Sequence, residues 1–557
     1  MTKRRLLRDN YDILLFLLGI LPLSVMLFMK CRYGFANVDE SFYLTVPYRL
    51  CQGDALFLNE WHLSQMTGWI LQLPMALFLR LGGSTEGVIL AFRQLYVALH
   101  LVSSTVIFLL LRRKCKIGGA VAALFFCIYV PYNISTLCYN SMGLGLMTLS
   151  TVIVTCADRR WSDVIGGSLY ALAVLCCPYL AVLLPIYGGA VLLVRSRPKW
   201  GEGLPFLLPR RFGMYVLGIA LPAALFLITV LPRIPLADWP QIIAGLFSDP
   251  EHSASIIGKL AQYAYGIVVI RPMRFFCLIL LCGLLVKRKE IQAILGGVVL
   301  ALVGYVLLRA IFVNHLMFPL NLAGLYFYLV YRNTSAKPLF FGIWIPGMIY
   351  SVCIHLGSNQ CFYVISSAST VSLMASVLIV LLTLKEELPK LRWPILKYGL
   401  VTAVVLVFLV QGAMQVKLRW NYIFWDKHDI TAQTQLLTEG SHKGLLVSPE
   451  WEEEYRTDLE TASHLDPNGS LLVFGKKTYF YLFTSCTNSS YSGWPAGTPD
   501  SILQRLEIYY ALCPDKRPDQ ILIPEANRDY APIFLEEKGY VLSYESPCGD
   551  MILTKGN

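Results

Sequence analysis

The stretch that decides the fold is residues 11–29, YDILLFLLGILPLSVMLFM, which comes shortly after the basic segment Lys3–Arg8. About 20 mainly apolar residues are enough for a helix to cross a bilayer. A signal peptide would also show a basic start and an apolar run, but no small-residue cleavage site follows here. We therefore expect an uncleaved first span whose N-terminus lies in the cytoplasm.

Apolar runs of this kind recur along the 557 residues, of which 56% are hydrophobic and 15% charged, with a mean hydropathy of +0.56. Soluble domains carry about 25% charged residues. We therefore predict an all-α polytopic membrane core of about 13 transmembrane helices, oriented by the basic clusters between them. The predicted spans are residues 11–30, 88–111, 117–137, 141–157, 163–180, 181–195, 212–231, 273–286, 291–312, 315–331, 338–356, 363–384 and 397–416. An odd number of spans places the C-terminal region outside the cytoplasm.

Residues 64–81 are apolar enough to cross the membrane, but a crossing there would move Arg112, Arg113 and Lys114 outside. We therefore interpret this segment as an interfacial or re-entrant helix on the outer leaflet. The first outer loop then covers residues 31–87, and a loop of that length usually has a function. A second surface helix is expected at residues 256–270, within the outer loop 232–272.

The composition changes near residue 416 to that of a soluble domain. Residues 417–557 hold 13 Lys and Arg against 20 Asp and Glu, whereas residues 1–416 hold 34 against 16. The positive excess therefore belongs to the membrane part, where cytoplasmic loops concentrate basic residues, and it does not indicate nucleic-acid binding.

Short β-rich runs alternate with helical stretches in the C-terminal part. We predict a small extracytoplasmic α/β domain at residues 417–557, after a membrane domain at residues 1–416. No Gly-rich phosphate loop occurs in it, so no nucleotide site is expected. The predicted strands are 444–447, 470–474, 520–523, 541–544 and 551–554, and the predicted helices are 450–464, 501–513 and 530–538.

An acidic pair, Asp39 and Glu40, lies in the first outer loop within the sequence GFANVDESFY, residues 34–43. Carboxylates at a membrane surface often mark a functional site. Asp39 could act as a general base that takes the proton of a hydroxyl, with Glu40 as its helper. Tyr43, one helical turn later, is a candidate for substrate contact. The alternative is a purely structural role for Asp39 as the N-cap of a helix.

Glu60 and His62 form a second group in the same loop. Two residues apart, they would face the same way on an extended segment. Together with Asp39 or Glu40 they could bind a sugar or a divalent cation, although no recognised metal motif is present. A surface hydrogen-bonded pair is the alternative, so no cofactor is assigned.

Four basic residues are candidates for contact with a phosphate group. Arg93 lies inside the second predicted span, Arg309 and His315 lie at the outer junction of the ninth and tenth, and Arg271 lies next to the outer end of the eighth. Charges at membrane depth are costly and usually face a cavity, and arginine binds phosphate in a bidentate manner. Snorkelling toward lipid headgroups is the alternative for each.

The first loop resembles that of the GT-C superfamily of membrane glycosyltransferases, which includes protein O-mannosyltransferases, bacterial aminoarabinose transferases and the RgtA/B/C/D-like group. The residues that carry the resemblance are 38–44, 47–50 and 53–57, VDESFYL, PYRL and GDALF. The layout of a multi-span core with a C-terminal outer domain is also similar.

This resemblance implies a glycosyltransferase of the cell envelope that takes a sugar from a polyprenyl-phosphate donor. It also implies an inverting transfer with Asp39 as the catalytic residue and with no nucleotide at the active site. The acceptor could be a glycan, a lipid or a protein. Two alternatives stay open: a transporter or flippase of a lipid-linked glycan, and a non-catalytic membrane assembly protein.

Overall fold

The computed structural model describes residues 10–159, 161–248, 255–358, 362–424, 426–495 and 497–556. Most of these residues are helical. The main helices are α1 (Tyr11–Lys30), α2 (Asn37–Cys51), α3 (Met66–Gly82), α4 (Val88–Leu111), α5 (Lys116–Ile128), α6 (Tyr139–Cys156), α7 (Ser162–Cys176), α8 (Leu183–Ser196), α9 (Pro209–Val230), α10 (Trp239–Phe247), α11 (Ile256–Val269), α12 (Arg271–Leu285), α13 (Lys289–Leu308), α14 (Pro319–Tyr331), α15 (Ile345–Gly357), α16 (Thr370–Glu387), α17 (Pro394–Asn421), α18 (Pro449–Ser463) and α19 (Pro499–Leu512).

A multi-pass membrane core is confirmed by the helices themselves. Within the described ranges, eight helical segments are long and apolar enough to cross a membrane, and a ninth qualifies if α11 and α12, which meet at 74°, form one broken span. The predicted count of 13 spans is not confirmed, because several predicted spans contain shorter helices such as α5 and α7. The eight segments are Tyr11–Lys30, Val88–Leu111, Pro178–Ser196, Pro209–Arg233, Lys289–Leu308, Val313–Tyr331, Lys337–Gly357 and Pro394–Asn421.

The segments 64–81 and 256–270, which were predicted as membrane-surface helices, are helical in the structure as α3 and α11. Helix α3 packs closely on α2, since a Cβ atom on Gly68 would come within 2.6 Å of the Val46 side chain. This contact ties the second helix of the first loop to the helix that carries the acidic pair.

Helix α16 lies at the centre of the bundle, and every residue from 364 to 380 is buried. A helix that is surrounded on all sides has to satisfy its polar side chains locally or through its neighbours. Ser372 Oγ donates to the Trp344 carbonyl at 2.7 Å, and Ser376 Oγ donates to Asn321 Oδ1 at 3.0 Å. These hydroxyls bind α16 to two neighbouring helical segments.

Helices α7 and α9 approach each other closely through glycine. A Cβ atom on Gly218 would lie 2.0 Å from the Val164 carbonyl oxygen, and one on Gly167 would lie 2.0 Å from the Tyr215 carbonyl oxygen. Small residues allow this backbone contact in membrane helices, where van der Waals packing has to replace the hydrophobic effect.

The C-terminal region contains a five-stranded mixed sheet with strand order β4-β3-β5-β7-β6. The pairs β3–β4 and β3–β5 are parallel, whereas β5–β7 and β6–β7 are antiparallel, with Leu472 opposite Ile521 and Ile521 opposite Leu553. A separate antiparallel pair is formed by β1 and β2. The strands are β1 (Gln435–Leu436), β2 (Leu446–Val447), β3 (Ser470–Val473), β4 (Thr487–Asn488), β5 (Gln520–Ile523), β6 (Tyr540–Glu545) and β7 (Met551–Lys555).

All five predicted strand runs are strands in the structure, and two of the three predicted helices are present as α18 and α19. The predicted helix at residues 530–538 is helical but irregular, because a 3₁₀ helix, Glu525–Tyr530, leads into a π-helix, Ile533–Glu537. Pro532 lies between them, and proline cannot donate the backbone hydrogen bond that a continuous helix requires.

Arg49 joins the first loop to the C-terminal region. This fully buried side chain donates to Asp54 Oδ2 at 2.7 Å, to Glu60 Oε2 at 3.0 Å and to the Ser490 carbonyl at 3.0 Å. Glu60 in turn accepts from Ser492 Oγ at 2.5 Å and from the Gly493 backbone N–H at 2.8 Å. The buried charges are therefore paired within the first loop, and their further hydrogen bonds reach Ser490, Ser492 and Gly493 of the C-terminal region.

We expect Arg49→Met to lower the free energy of unfolding by about 3 kcal/mol, because it leaves the Glu60 carboxylate buried without its cation. Denaturation of the detergent-solubilised protein would measure the change. Lys443→Met is the matched control, since the exposed pair of Lys443 with Glu86 should contribute less than about 1 kcal/mol. Equal losses in the two variants would contradict a stabilising role for Arg49.

Candidate active site

A cavity of about 440 Å³ lies where α2, the start of α6 and the end of α15 come together. Three of the residues predicted from the first loop line it: Asp39, Tyr43 and His62. Its other lining residues are Phe42, Leu63, Ser64, Tyr132, Tyr139, Asn140, Cys176, Pro178, Tyr179, Phe247, Ile354, Gly357, Ser358, Val364, Phe424 and Trp494. The cavity is thus built from the membrane helices, the first loop and the C-terminal region together.

Asp39 lies in the first turn of α2, where a carboxylate interacts favourably with the positive end of the helix dipole. The chain enters α2 through Gly34, whose φ of +72° is in the region that favours glycine. A Cβ atom at Gly34 would also lie 2.6 Å from the Ile423 side chain. The position and direction of the Asp39 turn therefore depend on a glycine five residues earlier.

Glu40 points away from this cavity and forms a buried ion pair with Arg93. Arg93 Nε donates to Glu40 Oε1 at 2.6 Å and Arg93 Nη2 donates to Glu40 Oε2 at 2.5 Å. Arg93 also donates to the carbonyls of Cys31 at 2.8 Å and Gly34 at 2.9 Å. Asp39 and Glu40 thus have different environments. The N–H groups of Arg93 donate to Glu40 and to two backbone carbonyls.

Glu60 and His62 also lie in different surroundings. Glu60 is held by Arg49, Ser492 and Gly493, whereas the His62 ring lies in the cavity, 4.7 Å from the Phe42 ring between centroids. Among the described residues, the first-loop acids and His62 do not form a cluster of metal ligands. One such grouping does occur among the described residues, at Asp458, Cys548 and Asp550 of the C-terminal region.

That grouping in the C-terminal region is held by a lysine. The Lys477 ammonium lies 2.8 Å from both Asp458 and Asp550. Burial raises the pKa of Asp458 to about 6 even though Lys477 opposes this shift. The lysine therefore supplies the positive charge that two buried carboxylates require.

Aromatic rings form much of the cavity wall. Ring centroids are 5.8 Å apart for Phe42 and Trp494, 5.6 Å for Tyr43 and Tyr139, and 6.3 Å for His62 and Tyr139. Such rings present an apolar face together with a polar edge, which suits a ligand that has both characters. Sequence reasoning did not single out Tyr139 or Trp494, because abundant Tyr and Trp are also typical of the membrane interface.

Tyr43 is kept in its protonated form. Burial is the main cause that raises the pKa of the Tyr43 phenol well above its usual value, and the negative charge of Asp39 adds to this shift. A protonated phenol beside the Asp39 carboxylate can donate a hydrogen bond to a ligand oxygen.

None of the predicted basic residues lines the 440 Å³ cavity. Arg309 is exposed at the end of α13, 5.4 Å above the Tyr305 ring, and Arg271 is exposed at the start of α12. His315 is half-buried with its ring centroid 5.7 Å from that of Phe312. The structure therefore does not bring these three residues together with Asp39.

A buried cation from another element lies beside the cavity rim. Lys259 of α11 donates to the carbonyls of His355 at 2.8 Å and Leu356 at 3.2 Å, next to the lining residues Ile354 and Gly357. Lys259 falls within the surface helix predicted at residues 256–270, but the sequence gave no signal that it would reach the end of α15.

A second, mainly apolar cavity of about 290 Å³ lies further along the same helices. Helix α6 contributes Met147 and Thr151 to it, and α15 contributes Ile345 and Ile349. Both cavities are lined by α6 and α15, so the apolar one lies along the helices that carry Tyr139 and Gly357 to the first.

Comparison with known proteins gives a structural likeness. No family model matches the chain, and no curated protein matches it. The structure is similar to the crystal structure of ArnT from Cupriavidus metallidurans bound to undecaprenyl phosphate, with 13% sequence identity, 98% of this chain and 97% of that chain covered, and a TM-score of 0.49. At this identity and score, no residue role or substrate transfers from ArnT to this chain.

The different environments of the two acids predict different effects on stability. Glu40→Gln should lower the free energy of unfolding by about 3 kcal/mol, because Arg93 is left as a buried cation without a charged partner. Asp39→Asn should cost less than about 1 kcal/mol, since asparagine keeps an acceptor oxygen in the first helical turn. Thermal unfolding in detergent would compare them, and an equal loss in both would show that Asp39 also has a mainly structural role.

Proposed function

We propose that this protein is an integral-membrane glycosyltransferase that moves a sugar from a polyprenyl-phosphate donor to an acceptor hydroxyl. The observation that carries the proposal is the position of Asp39 in the wall of a 440 Å³ cavity with aromatic sides. The residue lies at a helix N-terminus beside a protonated tyrosine, and an apolar cavity follows along the same helices. These parts suit a substrate with a polar sugar and a long apolar tail.

In the proposed reaction, the Asp39 carboxylate takes the proton of the acceptor hydroxyl. The acceptor oxygen then forms a bond to the anomeric carbon of the sugar, while the bond from that carbon to the phosphate oxygen breaks. The electron pair of the broken bond stays on the polyprenyl phosphate, and the configuration at the anomeric carbon is inverted. Glu40 assists through its pair with Arg93, which fixes the turn that carries Asp39.

Tyr43 and His62 are proposed to orient the sugar. Both line the cavity with Asp39, and the Trp494 ring from the C-terminal region covers the same space near Phe42. Glu60 contributes indirectly, because it holds the segment that ends at His62.

The phosphate of the donor needs a basic partner. Lys259 is a suitable candidate, since its buried ammonium lies beside the rim formed by Ile354 and Gly357. Arg271, Arg309 and His315 remain predictions for this role. Contact with them would require the substrate to extend beyond the cavity, or their segments to reach the substrate.

The polyprenyl tail is proposed to occupy the apolar cavity of about 290 Å³. Apolar chain buried there leaves water or lipid and gains contact with side chains of α6 and α15. In this arrangement residues 1–416 form the membrane domain and residues 417–557 form an extracytoplasmic roof over the site, while the N-terminus lies in the cytoplasm.

The first test is transfer of a labelled sugar from polyprenyl-phosphate donors in membranes that contain the wild type or Asp39→Asn. We expect Asp39→Asn to lower the transfer rate by about 100-fold or more, because the base is removed while the side chain keeps its shape. Glu86→Gln is the control, since the exposed Glu86 carboxylate pairs with Lys443 outside the cavity.

The outcomes separate the candidate functions. Equal transfer by the wild type and Asp39→Asn would remove Asp39 as the catalyst. If the wild type transfers no sugar from any polyprenyl-phosphate donor, the proposal fails in favour of a transporter or an assembly protein.

A second test concerns the lipid tail. Ala190 lines the apolar cavity, whereas a Cβ atom on the neighbouring Gly189 would meet no atom within 4 Å. Ala190→Phe should raise the KM for a 55-carbon donor roughly tenfold, which corresponds to lost burial of about two CH₂ groups. It should leave the KM for a 10-carbon donor unchanged, and Gly189→Phe should affect neither. An equal effect on both donors would place the tail elsewhere.

A further inference from the structure

A small chamber lies on the opposite side of α2 from the 440 Å³ cavity. It has a volume of about 20 Å³, and its walls include Lys30, Glu40, Arg93, Asn133 and Ser135. Phe424 lines both this chamber and the larger cavity, so a single side chain contributes to the wall of each. The chamber is therefore immediately behind the turn that carries Asp39.

Three cations lie around this chamber, and among the described residues only one of them, Arg93, has an ion-pair partner. Arg93 is paired with Glu40. Lys30 is only 4% exposed, and its Nζ has no hydrogen-bond partner in the described part of the chain. Lys30 ends α1, and its side chain forms part of the chamber wall.

Arg419 adds a second buried cation. It is 1% exposed and donates to Asn133 and to Ser135 Oγ, the latter at 2.7 Å, so its partners are uncharged. Among the described residues, no carboxylate lies within ion-pair distance of Lys30 or Arg419. Two acids from the segment after α17, Asp426 and Asp429, act on Lys30 through their charge at longer range, and Asp426 accepts from the Gln433 side chain at 3.0 Å.

Buried cations without a direct ion-pair partner are unfavourable, and arginine cannot lose its proton in a protein. An anion in the chamber would give Lys30 a counter-charge in direct contact and accept the hydrogen bond that Lys30 Nζ can donate. A space of about 20 Å³ holds one water-sized particle, since about 10–15 Å³ of probe-occupied volume is sufficient for a water. A phosphate or sulfate group is larger than this space.

We propose that the chamber binds one small monovalent inorganic anion such as chloride, with Lys30 as its direct ligand and Arg93 and Arg419 as flanking charges. The bound anion joins α1, the turn before α2 and the segment after α17, because each supplies a wall of the chamber. It therefore stabilises the backbone that positions Asp39. This site does not depend on which reaction the larger cavity performs.

The test compares thermal unfolding of the full chain in detergent with sodium chloride, sodium sulfate or sodium gluconate at equal ionic strength. We expect chloride to raise the Tm of the wild type saturably by about 2 °C relative to gluconate, and sulfate to have no such effect. Lys30→Met should abolish the chloride-specific rise. Lys443→Met, which removes an exposed lysine, should retain it.

Three results would overturn the proposal: the same wild-type Tm in all three salts, a chloride effect that survives in Lys30→Met, or stabilisation by sulfate or phosphate and not by chloride. The last result would indicate a phosphate-type ligand instead. Because Lys30→Met could fold poorly, crystals of the wild type in sodium bromide provide an independent measurement. An anomalous bromide peak within contact distance of Lys30 Nζ is expected, and its absence at saturating bromide would also refute the site.

Discussion

The buried pair of Glu40 with Arg93 is the interaction on which the candidate site depends. Arg93 of α4 holds both oxygens of Glu40 and also the carbonyls of Cys31 and Gly34, so it fixes the path of the chain from α1 into α2. Successive residues on a helix are about 100° apart. With Glu40 turned toward Arg93, the preceding residue Asp39 is directed toward the larger cavity. A structural acid thus sets the direction of the proposed catalytic one.

A second buried arginine makes the C-terminal region part of the same site. Arg49 holds Glu60, and Glu60 holds the backbone near Ser492, two residues before Trp494. The ring of Trp494 then closes the cavity beside Phe42. The first loop and the C-terminal region therefore support each other, because the buried pair of Arg49 and Glu60 completes its hydrogen bonds with Ser490, Ser492 and Gly493.

Several features of the fold and site were predictable because they depend on local chemistry. Apolar runs marked the membrane helices, and alternating β-rich and helical segments marked the mixed sheet with α18 and α19. The first loop supplied Asp39, Tyr43 and His62, which share the cavity. The basic candidates were less predictable: a lone arginine in an apolar run has the same sequence signature whether it binds a ligand, as was predicted for Arg93, or pairs with an acid 53 residues away, as Arg93 does with Glu40.

The sequence by itself determined a membrane protein with a long first loop, an acidic pair in that loop and a mixed C-terminal region, because hydropathy and residue type act over short stretches of chain. Only the tertiary structure decided which acid faces the cavity, that Glu60 and His62 separate, and that Lys30 and Arg419 share a buried neighbourhood. These outcomes depend on partners far apart in the sequence, and the cost of leaving a buried charge unpaired selects among arrangements that the sequence pattern cannot distinguish.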